Sequence, residues 1–286
     1  MLALLLLAAL VTAGPPWRRG LGLGLAVLLL LWPLAIPGPP LLRGFLALFA
    51  FWGAARVLDL SREARPLTPA QRTGFVVAVL DTRQLRWSAP RLDLPALLKA
   101  TVGLGLGLGA LALALACDHD LPRWTLGAFV VYTLAEGLEG LLRGVLALLG
   151  AESPPLHRAP IAARSLREFW GERWNLIVNR WLRTHFFLPL ARRRRPALGF
   201  ALAFLASAVL HAWFIGVALG PRMAASMALY FIIEGLLLAL EVPLGVARWR
   251  APLGRAWMLA CTLLPSPLFV EPMLRLVAPR LTLLLV

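Results

Sequence analysis

Apolar residues run along this chain in long blocks, not in a strand-like alternation or a narrow helical stripe. The blocks cover about 1–13, 21–36, 41–55, 101–117, 124–149, 197–219, 223–246, 256–271 and 273–286. Some approach the ~20 residues that a helix needs to cross a bilayer, and others fall short of it. They predict an all-α polytopic membrane protein of about eight spans, within a range of about 7–9, forming one unit over 1–286. Pro33 and Pro37 are placed to kink or end the second block, and Arg275, Pro279 and Arg280 interrupt the last.

Charge orders the blocks. Basic residues gather at Arg18 and Arg19, across 56–99, across 151–196, and at Arg248, Arg250 and Arg255. Two predicted spans separate each cluster from the next, so all four fall on one face. The positive-inside rule makes that face cytoplasmic and puts the N-terminus outside. The alternate loops carry little charge: Arg43, the run Asp118-His119-Asp120 with Arg123, and Arg222. Val11-Thr12-Ala13 resembles a signal-peptide cleavage site, but Arg18 and Arg19 follow the first block where a signal peptide would have basic residues before it. That order favours an uncleaved helix.

Composition agrees with a membrane protein. Hydrophobic residues make up 60% and charged residues 15%, with a mean hydropathy of +0.77. A soluble enzyme, a disordered chain and a secreted disulfide scaffold are excluded by that balance. The net charge is +15, and Lys99 is the one lysine among 29 basic residues. In a soluble protein such a charge would suggest nucleic acid. Here the spans account for it, and no zinc-finger or RNP-type motif accompanies it. Heavy use of Arg, Ala, Gly and Pro suggests a GC-rich, bacterial genome, and hence the inner membrane. Cys117 and Cys261 lie in or beside apolar blocks without metal spacing and read as free thiols.

Candidate chemistry concentrates in Ser165-Leu166-Arg167-Glu168-Phe169-Trp170-Gly171-Glu172-Arg173-Trp174-Asn175. Trp181, Phe186 and Phe187 follow, interleaved with Arg180 and Arg183. Aromatics mixed with arginines suit the membrane–water boundary, so the spacing predicts an amphipathic helix lying in the interface. Asn175, a neutral amide among tryptophans, needs a hydrogen-bond partner. Thirty-six residues beyond it, His211 stands inside an apolar block, with Ser207 four positions earlier on the same face. A histidine at that depth either bonds a neighbouring helix or acts as a general base.

This motif with its spaced histidine resembles the wax synthase-like branch of the membrane-bound O-acyltransferases. The likeness is closest over roughly 153–215, within a motif region of 151–215. It implies transfer of a fatty acyl group from acyl-CoA to the hydroxyl of a long-chain alcohol or related lipid. Acyl-CoA is then a co-substrate, and neither cofactor nor metal is implied. His211 corresponds to the family's histidine, expected as general base. Asn175 corresponds to the motif asparagine, expected to polarise the thioester carbonyl or orient the acceptor. Phe169, Trp170, Arg173, Trp174, Ser207 and Glu234 are expected to line the substrate site. Many relatives carry glutamate directly after the histidine, where this chain has Ala212. Glu234, on the next block, is a candidate replacement.

Other polar positions admit structural readings. Tyr132, Glu136, Glu139 and Arg143 share one helical face, and Glu139 precedes Arg143 by the spacing of a favourable ion pair. Tyr230, Glu234 and Glu241 repeat the pattern without a basic partner in their own block. Arg192 to Arg195 suit a helix-end charge cluster, coenzyme A phosphates or anionic headgroups. Asp118-His119-Asp120 reads as a polar turn before a metal site. His157 and His185 have no acid at a meaningful spacing. Gly103, Gly105, Gly107 and Gly109 favour close helix packing over phosphate binding. A proton-coupled transporter using the intramembrane carboxylates and histidine is the competing class, and an inactive acyltransferase-like protein is a third reading.

Overall fold

The computed structural model describes residues 1–12, 16–78 and 80–278. Its helices in chain order are α1 (Leu2–Val11), α2 (Pro16–Leu31), α3 (Pro40–Ser61), α4 (Pro69–Val77), α5 (Leu94–Ala116), α6 (Asp120–Leu148), α7 (Leu166–Glu168), α8 (Leu176–Leu182), α9 (Leu188–Arg192), α10 (Pro196–Leu219), α11 (Pro221–Leu244), α12 (Ala251–Leu263) and α13 (Pro267–Val277). Proline sets many of these starts. Pro40, Pro69, Pro196, Pro221 and Pro267 each open their helix, where a missing amide loses no bond and the ring presets φ.

Among the described residues, six helices are long and apolar enough to cross a membrane: α2 with its following turn, α3, α5, α6, α10 and α11. The pair α12 and α13, bent by 52°, makes a seventh if counted as one span. This is the all-α integral membrane architecture expected; the described spans reach the low end of the range if the bent pair is one span and fall one short of it if not. The block 1–13 does not supply a span of its own. α1 has ten residues and rises about 15 Å, half of the hydrocarbon core. The block 256–271 falls on both helices of the bent pair, and the described start of the block 273–286 continues α13 to Val277. Pro265 and Pro267 sit at the break and interrupt the helical ladder there. Ala13, Pro279 and Arg280 lie outside the described residues.

The helices α2 and α3, α5 and α6, and α10 and α11 pack as consecutive pairs. Each pair returns the chain to the face it left, so the four basic clusters share one face. The α5–α6 pair shows how these sequences pack. Leu98, Leu106 and Leu113 on the outside of α5 are 52–65% exposed within the protein and face lipid. The inner stripe is small: Ala96, Ala100, Gly103, Gly107 and Ala110 are buried. A Cβ on Gly103 would lie 2.7 Å from the Cα of Gly137. The backbones thus meet directly, as small-residue interfaces in membranes allow.

On the basic face the segments 56–99 and 151–196 join into one layer. Strand β1 (Arg86–Trp87) pairs antiparallel with β2 (Ala151–Glu152). Arg91 bonds Glu152, and Arg180 bonds Gln84. His185 is fixed from both sides: Nε2 lies 2.7 Å from Asp59 and Nδ1 2.5 Å from an Arg62 nitrogen. An arginine only donates, so Nδ1 is the acceptor and Nε2 carries the proton. Both ring nitrogens are occupied, and this histidine is a tie between α3 and the chain after α8. Arg72 of α4 closes the end of α1 by donating to the Ala9 carbonyl at 2.9 Å and the Thr12 hydroxyl at 2.6 Å.

A methyl group discriminates packed from open glycines. Gly103→Ala is expected to destabilise the protein by about 1–3 kcal/mol, whereas Gly105→Ala, with open space around it, leaves stability unchanged. Thermal melting in detergent reads the difference, and equal melting temperatures would refute the close approach.

Candidate active site

The sequence from Ser165 to Asn175 does not form the single amphipathic helix expected. It breaks into α7, a π-turn over Phe169–Arg173, an extended Trp174 and a left-handed Asn175 before α8 begins. The Trp174 amide closes the π-turn on the Phe169 carbonyl at 2.8 Å. Asn175 has φ 43 and ψ 58, a conformation that asparagine tolerates better than most residues with a side chain. Its Oδ1 also caps α8 by accepting from the Val178 amide at 3.5 Å. Its Nδ2 is left without a hydrogen bond among the described residues.

Local bonds hold the start of the motif. The Ser165 hydroxyl accepts from the Glu168 amide at 3.0 Å. Glu168 in turn accepts from the Arg164 amide at 2.7 Å and pairs with Arg173 at 2.6 Å. Burial raises the Glu168 carboxyl, but the Arg164 amide and then Arg173 outweigh it and hold the group below its ordinary value. Arg173 also donates to the Arg158 carbonyl at 2.7 Å. Most of this guanidinium is thereby engaged in holding the loop before the motif, a structural task that the sequence reading did not assign to it.

Long-range bonds come from α11. Glu241, 5% exposed, accepts from the Leu166 amide at 2.6 Å, the Arg167 amide at 3.0 Å and the Trp257 indole at 3.0 Å. Glu234, fully buried, accepts from the Trp170 indole at 2.8 Å. These glutamates have no basic partner in their helix, as the sequence indicated. Their partners are instead N–H donors from the motif and from α12. Glu234 makes no hydrogen bond to His211, so it does not stand in for the carboxylate missing at Ala212 by direct contact.

His211 lies on α10, its ring stacked on Phe231 with centroids 3.9 Å apart. Its Nδ1 is 2.8 Å from the Ser207 backbone carbonyl. A carbonyl only accepts, so Nδ1 carries the proton and Nε2 presents a lone pair. Nε2 has no hydrogen-bond partner among the described residues. Ser207 therefore serves His211 through its main chain. From Phe231 a row of rings runs to the motif: Trp170 at 5.9 Å, Phe169 at 5.0 Å from Trp170, then Trp174 stacked at 5.7 Å from Phe169. Phe169, Trp170 and Trp174 are thus brought together, and Asn175 follows directly on the last.

Outside the membrane helices, a cleft of about 590 Å³ opens beside the motif. Arg158, Arg173, Arg180 and Arg183 line it, with Glu172 as the opposing charge. Arg192, which ends α9, and Arg193 to Arg195 after it are exposed and do not line it. The ion pair expected between Glu139 and Arg143 is absent. Arg143 lies 3.7 Å from Asp93, and Glu139 instead meets Lys99 at 2.5 Å. His157, read as lacking an acid, has its Nδ1 3.7 Å from Glu136 and 3.8 Å from Glu139. These three residues form the one grouping with ligand-like spacing among the described residues, and the Lys99 ammonium already sits against both carboxylates. At Asp118-His119-Asp120 the structure shows a turn before α6, where Asp120 pairs with Arg123 at 2.7 Å.

Residues 153–233, which contain the motif, α10 and His211, match the membrane bound O-acyl transferase family. The resemblance to that family's wax synthase-like branch is borne out over this region. A probable long-chain-alcohol O-fatty-acyltransferase 2 from Arabidopsis thaliana is 31% identical over 141 residues, 45% of this chain and 41% of the relative. The long-chain-alcohol O-fatty-acyltransferase of Simmondsia chinensis is 27% identical over 135 residues, 43% of this chain and 38% of the relative. An acyl-CoA–sterol O-acyltransferase 1 from Arabidopsis thaliana is 28% identical, covering 48% of this chain and 43% of the relative. The chain spans about two fifths of the length of these relatives.

Removing the Glu241 carboxylate leaves two amides and an indole buried without an acceptor. Glu241→Ala is expected to cost about 3 kcal/mol or more, and to open the Arg164–Arg167 segment to trypsin. Wild-type melting and wild-type protease resistance would contradict the anchoring role.

Proposed function

We propose that this chain is a membrane-embedded O-acyltransferase that moves a fatty acyl group from acyl-CoA to the hydroxyl of a long-chain alcohol or related lipid. The observation that carries the reading is the state of His211. Its Nδ1 proton is committed to the Ser207 carbonyl, and its Nε2 lone pair is free in a membrane helix beside the family motif. That is the protonation pattern a general base requires.

In this reading the acceptor hydroxyl gives its proton to Nε2 of His211 while its oxygen attacks the thioester carbonyl. The tetrahedral oxyanion collapses, the carbon–sulfur bond breaks, and the coenzyme A thiolate recovers the proton from the imidazolium. The products are an ester and free thiol. Asn175 suits the oxyanion task, because its Oδ1 is held by the Val178 amide and its Nδ2 keeps its donors. The arginine-lined cleft suits the phosphates of coenzyme A, since Arg158 and Arg183 have no side-chain partners among the described residues. The acyl chain then enters the bilayer along the aromatic row. The basic face is cytoplasmic in this reading, which supplies acyl-CoA from the aqueous side. The compositional argument places that membrane as a bacterial inner membrane.

Purified protein in liposomes, given labelled long-chain acyl-CoA and a panel of lipid alcohols, should form an ester. His211→Ala should lower turnover about 10²–10⁴-fold, and Asn175→Ala about 10²-fold or more. Normal turnover by both folded variants would overturn the assignment. Arg158→Ala combined with Arg183→Ala should raise KM for acyl-CoA about tenfold with kcat little changed. An unaltered KM would move the coenzyme A site elsewhere.

A further inference from the structure

The single lysine of the chain sits within a cluster that the proposed reaction does not use. Lys99 of α5 contacts Glu136 and Glu139 of α6. The two carboxylates differ in their other partners. Glu139, 1% exposed, turns its second oxygen outward to the chain after β2 and accepts from the Leu156 amide at 2.9 Å and the His157 amide at 3.3 Å. The second oxygen of Glu136 has no hydrogen bond. The segment that Glu139 holds is itself bonded to the motif. Leu156 offers its carbonyl to the Leu176 amide at 2.8 Å, and Leu176 directly follows Asn175. The His157 ring stands 4.6 Å from that of Trp174, the residue directly before Asn175. Asn175 is thus flanked on both sides by contacts to one dipeptide, and that dipeptide is fastened to a membrane helix by one carboxylate.

We infer that Glu139 is a positioning residue for Asn175, acting through the Leu156–His157 backbone, with the Lys99 ammonium holding its other oxygen in place. The inference rests on the proposed role of Asn175 in acyl transfer. Left-handed backbone in a residue with a side chain is unfavourable and persists where the surroundings enforce it. The Leu156–Leu176 bond and the tilted His157–Trp174 ring contact supply that enforcement at Asn175. They are anchored in turn by Glu139.

An amide at position 139 fails by its own chemistry. If the carbonyl of Glu139→Gln faces the two backbone amides, its NH₂ group meets the Lys99 ammonium, donor against donor. If it flips, the NH₂ group meets the backbone amides. Glu136→Gln removes the same charge from the same helix beside the same lysine, yet it can place its NH₂ group where the unpartnered oxygen stood. The pair therefore separates positioning from charge.

Both variants, Asn175→Ala, and the double variant Glu139→Gln with Asn175→Ala would be purified in nanodiscs. Ester formation would be followed alongside hydrogen exchange over residues 154–178. Expected are a fall in kcat of about tenfold or more for Glu139→Gln, a KM for acyl-CoA within about twofold of wild type, faster exchange at Leu156, His157 and Leu176, and near-normal behaviour of Glu136→Gln. The double variant should be no slower than Asn175→Ala alone, because both changes remove the same contribution. Additive losses, equal losses for the two glutamine variants, or unchanged exchange in Glu139→Gln would overturn the inference. If Glu139→Gln does not fold, Glu139→Asp, which withdraws the carboxylate by one methylene, carries the same comparison. Faster exchange together with normal turnover by Asn175→Ala would overturn the role of Asn175 in catalysis, and with it the positioning of a catalytic group, while leaving the strap itself standing.

Discussion

A carboxylate inside a membrane helix must find donors within the protein, because lipid offers none. This constraint shapes the molecule around α11. Glu241 and Glu234 lie two helical turns apart on one face, and no cation answers them. Glu241 takes the first amides of the motif and the Trp257 indole; Glu234 takes the Trp170 indole. These bonds hold the motif segment against α11. Phe169 and Leu166 then join Leu238 and Met258 in a buried cluster. The polar anchoring and the apolar packing of the motif are two sides of the same placement.

The motif is held differently at its far end. Glu139 also accepts from backbone amides, but it does so beside Lys99, a cation that it shares with Glu136. Between the two anchors the chain makes a π-turn and a left-handed residue, conformations found mostly where function demands an unusual side-chain direction. The row of rings from Trp174 to Phe231 then links the motif to His211 without any polar bridge. A proton pathway through Glu241 finds less support, since two backbone amides and an indole, which do not relay protons, hold its carboxylate.

Legibility in the sequence follows the range of the interaction. Hydropathy and charge placed the membrane helices and the shared basic face, because both are summed over many neighbouring residues. The motif and His211 were visible because their identities and spacing are local facts. Partners far apart in the chain were not. The rule that pairs residues four apart linked Glu139 to Arg143, yet Lys99, 40 residues away, is the partner. His185 finds Asp59 across 126 residues, and Trp170 finds Glu234 across 64. Arginine and aromatic spacing suggested one continuous interfacial helix, because periodicity carries no signal for a π-turn. The left-handed Asn175 had a weak signal in its residue type. A signal for the α11 anchors was also present: two glutamates in an apolar helix without basic neighbours require donors from somewhere else.

Ala212 bears on how the proposed base works. A carboxylate beside a catalytic histidine has two tasks, to fix the tautomer and to stabilise the imidazolium. The first is done here by the Ser207 carbonyl, which holds the Nδ1 proton, and by Phe231, whose face sets the ring plane. The second is done only in part, by the dipole of that carbonyl. The imidazolium formed on proton transfer therefore has no carboxylate directly after it in the chain. For a reaction that abstracts a proton from an alcohol and returns it at once to a departing thiolate, a short-lived imidazolium is compatible with turnover. A mechanism that stored the proton between separate steps would need the carboxylate that this chain lacks.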